Sequence, residues 1–147
     1  MTDANQRSEA LSAAAARRVE LKSAVSELER AAAAPAASPG WSERLLGELD
    51  DLRTALEQHI EEVEAEEGLL AELARESPRL ITRINKVQSE HPELLSQLDR
   101  TVQGVKTATD PDNARRAVLD ILHAVARHRQ AGSDLVYEGY SIDIGGG

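Results

Sequence analysis

The sequence has no cysteine and no phenylalanine, and it holds only one tryptophan and two tyrosines among 147 residues. The absence of cysteine excludes disulfides, thiolate nucleophiles and thiolate metal ligands, so a metal ion would need histidine or carboxylate ligands. The scarcity of aromatic residues argues against a sheet protein, because strands favour aromatic and β-branched side chains. Alanine, leucine, glutamate and arginine are abundant instead, which is typical of an all-helical protein, and the length predicts a single domain.

Positive charge and long apolar runs are also scarce. The chain has 17 lysines and arginines against 26 acidic residues, for a net charge of -9, which argues against binding to a nucleic-acid backbone. No segment approaches the roughly 20 consecutive apolar residues of a membrane span, and residues 1–10 lack the charged and then apolar form of a signal peptide. We therefore expect a cytoplasmic protein that binds neither nucleic acid nor membranes.

Apolar residues recur at alternating steps of three and four, the spacing of helices that pack into a bundle. The predicted helices cover about residues 9–34, 42–74, 78–106 and 111–135, with proline, serine and glycine marking the connections between them. Four helices with three short connections predict an all-α, antiparallel up-and-down four-helix bundle formed by residues 1–147 as one domain.

Three local features modify this simple bundle. Gly68 predicts a cap or a kink near the end of the second helix, and Pro92 predicts a bend in the third. The tail, residues 136–147, loses the helical spacing, so we expect an irregular segment folded back over one end of the bundle. We expect four side chains of this tail to contact the bundle: Tyr137, Tyr140, Ile142 and Ile144.

Three histidines, His59, His91 and His128, occupy positions where the helical spacing calls for apolar core residues. At about 1.5 Å per helical residue, His91 and His128 lie at nearly the same depth in the bundle, and His59 lies within about 6 Å of that level. The same count along the first helix reaches residues 14–18, which include no histidine or carboxylate. The sequence thus predicts one layer of three histidines facing a wall without ligands, and it places His123 beside the layer, at the surface.

Burying three imidazole rings together is costly without a shared partner, so the layer predicts a metal site. Neutral imidazoles with one or two oxygen ligands suit Fe(II), Zn(II) or similar ions. Glu62 follows His59 by about one turn and Glu66 by about two, which makes these carboxylates candidate ligands. The predicted ligand set is His59, Glu62, Glu66, His91 and His128.

Two other interpretations of the histidines stay open at this point. One is a metal-free bundle that binds another protein, supported by an acidic surface formed by Glu61, Glu62, Glu64, Glu66, Glu67 and Glu72. The other is a pH-responsive bundle whose histidines charge together near pH 6. Nucleophilic triads, phosphate-binding loops and dinucleotide fingerprints are absent from the sequence, so we expect a protein that is not an enzyme.

Several short motifs around the three histidines carry a family resemblance. They include His59-Ile-Glu-Glu-Val-Glu64, Glu90-His91 with Leu94-Leu95, and Arg127-His-Arg-Gln130. On these residues the chain, from Trp41 onward, resembles the hemerythrin family of cation-binding four-helix bundles, and its bacterial members in particular. The resemblance implies iron as the cofactor, the three histidines as ligands, dioxygen as a partner, and a role in oxygen or iron sensing or storage.

The chain departs from the pattern of that family at several ligand positions. The family pairs histidine with a glutamate four residues later, where this chain has Val63 and Leu95. Gly132 and Ser133 stand where a carboxylate would follow His128, and the first helix has no histidine. The number of irons, one or two, is therefore left open.

Overall fold

The computed structural model describes residues 2–65 and 68–142, with side chains described for residues 9–65 and 68–140. Within these ranges the chain forms helices and no strands. The α-helices are α1 (Thr2–Ala33), α2 (Trp41–Glu64), α3 (Leu69–Glu76), α4 (Ile81–Thr107) and α5 (Pro111–Val136). The four long helices, α1, α2, α4 and α5, form the predicted up-and-down bundle, which confirms the all-α fold class.

The long helices close into a ring of neighbours. Helix α1 packs against α2 and α5, and α4 packs against the same two helices from the opposite side. The N-terminus of α5 is capped by neighbouring residues. The Asp110 side chain accepts a hydrogen bond from the Asp112 amide at 3.0 Å, and Pro111 occupies the first turn of α5. No helix in the described ranges is both long and apolar enough to cross a membrane.

The connection between α1 and α2 is anchored by Trp41 and Arg115. The Trp41 indole donates to the Ala31 carbonyl at 2.9 Å. Arg115 of α5 lies over the Trp41 ring, 4.8 Å from its centroid, and donates to two further carbonyls near the end of α1, those of Ala32 and Ala34. These bonds satisfy carbonyls that a helix end leaves without partners, and they tie α1 to α5.

The second predicted helix, at 42–74, is two helices, which are separated at Gly68, where the sequence predicts a cap or a kink. Helix α2 ends at Glu64 and α3 begins after Gly68, which is its N-cap; the expected interruption at Gly68 is therefore a cap. A β-carbon at Gly68 would collide with the Glu62 carbonyl oxygen, so this close approach of the backbone favours glycine. A 3₁₀ turn, Pro78–Leu80, then leads into α4, which passes through Pro92 without a break.

The tail differs from its prediction because helical structure continues past α5. Residues Tyr137–Ile142 form a π-helical segment rather than an irregular one. Its Glu138 pairs with Arg83, and the Tyr140 hydroxyl donates to Glu72 Oε2 at 3.1 Å. Tyr137, expected to make contacts, is 64% exposed. The side chain of Ile142 and all of Ile144 lie outside the described residues.

Glu72 corrects one part of the predicted acidic surface. The sequence places this residue among the exposed glutamates, but in the structure it is only 4% exposed. The reason is that α3, once separated from α2 at Gly68, packs against the tail and presents Glu72 to Tyr140. The carboxylate therefore helps to hold the tail in place.

Most of the buried apolar residues that the structure describes form two clusters, which the histidines separate. We call the larger one the main core; it includes Leu21, Leu28, Leu45, Leu49, Leu52, Leu98 and Ile121. The smaller one, the end cluster, includes Ala14, Val63, Leu69, Leu70, Leu73, Leu80, Ile84, Val87 and Leu135. Along α2, α4 and α5, each histidine lies between residues of the main core and residues of the end cluster.

Candidate metal centre

Helices α2, α4 and α5 each contribute one histidine to a single group, which we call the histidine layer: His59, His91 and His128. One ring nitrogen from each lies within 4.8 Å of the others. The His91 and His128 ring centroids are 4.7 Å apart, and the His59 centroid lies 5.8 Å from His91 and 5.9 Å from His128. The layer predicted from residue counts is therefore confirmed, although the counts could not give these distances.

Burial is deepest for the two histidines of α4 and α5. His91 is 1% exposed and His128 is 4% exposed, while His59 is partly buried. His123, five residues before His128 on α5, is exposed, as the sequence predicts. The chain thus provides three inward histidines and, on one of the same helices, an outward histidine for comparison.

Two glutamates orient the buried rings. His91 Nδ1 donates to Glu64 Oε1 at 2.5 Å, and His128 Nδ1 donates to Glu90 Oε1 at 2.9 Å. A carboxylate bonded to one ring nitrogen fixes the tautomer and leaves Nε2 with its lone pair free. Carboxylate–histidine pairs of this kind are common around histidine-ligated metal ions, because the carboxylate sets ring orientation and raises ligand basicity.

Two buried ring nitrogens have no hydrogen-bond partner among the described residues: His91 Nε2 and His59 Nδ1. Buried polar atoms are nearly always paired in native proteins, since an unpaired one costs free energy. His91 Nε2 is therefore an unprotonated nitrogen in the protein interior, with its lone pair unused. Such an atom is suited to accept a bond from a cation.

Their surroundings favour the neutral form of the His59 and His91 rings. Burial lowers the pKa of His59 to about 4, and the neighbouring His91 and His128 rings, followed by Arg18 and Arg129, act in the same direction. Burial also lowers the pKa of His91, against the opposing effect of Glu64. Because neutral imidazole is the form that binds metals, these pKa shifts favour the ligand state near pH 7.

Of the two predicted carboxylate ligands, the structure describes only Glu62, which does not belong to the group of three histidines. Glu62 lies toward α1, where it adds to the larger effect of Glu20 in raising the pKa of Arg17. Two residues later, Glu64 has turned toward α4 and reaches His91. Glu66, the other predicted carboxylate, lies outside the described residues.

The spacing of the donors is close to that of a metal site. Around a tetrahedral ion, nitrogens bound at 2.0–2.1 Å lie about 3.3 Å apart. The three donor nitrogens lie within 4.8 Å of one another, so rotations of the side chains can bring them to a common ion. Three protein ligands leave one coordination position open. In the described ranges no carboxylate gathers with the histidines to bridge a second ion.

A cavity of about 290 Å³, here called the histidine cavity, adjoins the layer. Helix α1 lines it with Ala14, Arg18 and Leu21, where the residue count predicted a wall without ligands. The remaining lining residues are His59, Val63, Leu69, Leu70, Val87, His91, Ala126, His128, Arg129, Gln130, Gly132, Ser133 and Val136. A second hollow, of about 230 Å³, includes Glu90, Glu93, Arg127 and His128 in its lining.

Glu64 and Glu90 are not among the site residues predicted from the sequence. Glu90 precedes His91, but it bonds the histidine of the neighbouring helix, so its function depends on how α4 and α5 are rotated against each other. Glu64 is the last residue of α2, at a break that the sequence pattern does not place there. Glu90 lies within one turn of His91 in the sequence, but the sequence does not show that it bonds His128.

Comparisons of the chain with protein-family models, with curated proteins and with solved structures give no match. Any function assigned to the histidine layer therefore depends on its own geometry and on the sequence motifs.

Proposed function

We propose that the chain is a divergent hemerythrin-like bundle that binds one divalent first-row metal ion through His59, His91 and His128. The observation that carries the proposal is the buried His91 Nε2, which has no hydrogen-bond partner among the described residues while Glu64 holds Nδ1. A purely structural histidine at 1% exposure would be expected to use both ring nitrogens.

The ligand set favours one ion over two. Iron pairs in bundles of this kind are held by glutamates as well as histidines, whereas the group in the described residues consists of three imidazoles. Neutral imidazole suits both Fe(II) and Zn(II), so the donors alone do not select between them. The resemblance to hemerythrins favours iron.

The open coordination position gives the bound ion a role. An ion held by the three histidines would lie beside the histidine cavity, through which a small ligand could reach it, and the resemblance suggests dioxygen as that ligand. Reversible binding at such an ion would support oxygen or iron sensing or storage. Hydrolysis would additionally need a general base near the open position, and the described carboxylates nearest the layer, Glu64 and Glu90, are bonded to the histidines.

The test is metal binding by matched histidine variants. Metal-free protein is loaded with Fe(II) without oxygen, or with Zn(II), and the bound metal is measured by elemental analysis after gel filtration. Wild type and His123→Ala should each retain about one ion per chain, because His123 is exposed and does not belong to the group of three histidines. His91→Ala and His128→Ala should each lower the affinity at least about a hundredfold.

Equal metal retention by His128→Ala and wild type would contradict the proposal. Absence of binding by folded wild type would also contradict it and would favour the metal-free interaction module instead. Two irons per chain would show that the ligand set extends beyond these histidines. Circular dichroism of each variant separates loss of the site from loss of the fold.

A further inference from the structure

The histidine cavity has the dimensions and walls of a small-molecule site. Its volume is about 290 Å³, whereas an engineered apolar cavity of about 150 Å³ holds benzene. Much of its wall is aliphatic, with residues drawn from all five helices: Leu21, Val63, Leu69, Leu70, Val87 and Val136. An occupant would therefore have a compact apolar body.

The charge of the wall is opposite to that of the chain. The protein carries a net charge of -9 and 26 acidic residues, yet none of the described residues lining this cavity is acidic. Two arginines, Arg18 and Arg129, line it instead, and their charges act on the neighbouring His59. A cavity with cationic groups and an apolar wall selects an anion that has an apolar tail.

Besides the apolar wall and the two arginines, the histidine layer is the third feature of the cavity that bears on its ligand. His59, His91 and His128 all line the cavity, and His91, at 1% exposure, has its Nε2 without a partner among the described residues. An ion held there would present its open position toward the same space as the two arginines. A carboxylate oxygen suits such a position, and the second oxygen can accept hydrogen bonds from a guanidinium.

We infer that the histidine cavity binds a short aliphatic monocarboxylate. The carboxylate occupies the open position of the metal ion beside Arg18 and Arg129, and the aliphatic tail packs against the apolar wall. This inference rests on the proposed metal site. It specifies the chemical class of a ligand that the site would bind or sense.

The first experiment separates the metal from the carboxylate. Binding of Zn(II) or Co(II) is measured alone, and hexanoate, acetate and hexanol are then titrated into the loaded protein by calorimetry. Hexanoate should bind at least about tenfold more tightly than acetate, which lacks the tail, and than hexanol, which lacks the charge. With Co(II), hexanoate should also change the visible absorption, because it enters the coordination sphere.

Two pairs of variants test the two parts of the cavity. Arg129→Gln should weaken hexanoate binding about tenfold to a hundredfold and leave hexanol unaffected. Arg127→Gln, on the same helix but lining the second hollow, should bind hexanoate like wild type. Gly132→Leu should block hexanoate, because Gly132 lines the cavity and a β-carbon there would meet no atom within 4 Å, so the added side chain has open space to occupy. Gly47→Leu, at an exposed glycine with equally open space, is the matched control.

Each outcome decides the inference. Loaded protein that binds hexanol or acetate as tightly as hexanoate would overturn it, as would an unchanged Co(II) spectrum or equal hexanoate affinity for Arg129→Gln and Arg127→Gln. Those results would leave the metal site intact. Failure of Zn(II) and Co(II) to bind in the first step would instead overturn the proposed function, and the inference with it.

Discussion

The main core and the histidine layer lie on the same helices but differ in how completely their side chains are satisfied. In the main core, leucines such as Leu49 and Leu98 are fully buried by other apolar side chains. In the layer, a few turns away, two buried ring nitrogens have no partner among the described residues, and a cavity adjoins the rings. The bundle is therefore stabilised mainly by the main core, while the layer retains groups that lower stability and can bind a ligand.

The largest effect should come from truncating the main core. Leu98→Ala removes a fully buried side chain and should lower the free energy of unfolding by about 2–5 kcal/mol. Leu70→Ala should cost about half as much, because Leu70 lines the histidine cavity and its side chain already borders empty space. Urea unfolding of the metal-free protein measures both values. Equal losses would mean that the two regions are packed alike.

The second-largest effect on stability should come from protonation of the histidine layer in acid. The His59 pKa is about 4 in the folded protein and about 6.5 in the unfolded chain, so between these values only the unfolded chain takes up the proton. The stability contributed by the neutral ring is complete above pH 6.5 and is lost as pH falls toward 4, which amounts to about 3 kcal/mol for metal-free protein. His91 acts in the same direction, because its pKa is also lowered.

Unfolding measured between pH 7 and pH 4 tests this contribution. His59→Leu should lose less stability on acidification than wild type, whereas His123→Leu, at an exposed position, should match wild type. The same pH slope in wild type and His59→Leu would show that His59 is not held neutral by the fold.

The features that sequence predicts well are those set by local spacing. Steps of three and four residues place the long helices, and rise per residue brings His59, His91 and His128 to one depth. The π-helical tail, in contrast, depends on contacts such as that of Gly139 with Leu73, which join segments distant in sequence. Periodicity within one helix contains no information about these contacts.

The same distinction explains which site residues the sequence reveals. The histidines are polar residues at apolar positions, so the pattern identifies them. Glu64 and Glu90 act on rings of other helices, and that pairing depends on the rotation of each helix about its axis. Arg18 and Arg129 have ordinary places on helix surfaces in the sequence, and only packing shows that they line a cavity.

The bonded glutamates should affect the metal without much effect on the fold. Glu64→Gln keeps the side-chain volume but removes the charge that raises the basicity of His91, so metal affinity should fall about tenfold to a hundredfold. Glu93→Gln, at an exposed residue of α4, should leave affinity unchanged. Competition with a chelator measures both. An unaltered affinity in Glu64→Gln would exclude a role for Glu64 in tuning the site.

The smallest effect has the opposite sign to that of the core truncation and is the most informative about the layer. His91→Leu replaces a buried ring that has an unpaired nitrogen with an apolar side chain of similar size, while Glu64, which is 30% exposed, can be hydrated. We expect the metal-free variant to be more stable than wild type by about 1 kcal/mol in urea unfolding and to bind no metal. If His91→Leu is instead destabilised by as much as Leu98→Ala, His91 serves the packing of the bundle. A gain in stability with loss of metal binding would mean that the chain retains this histidine for its ligand and not for its fold.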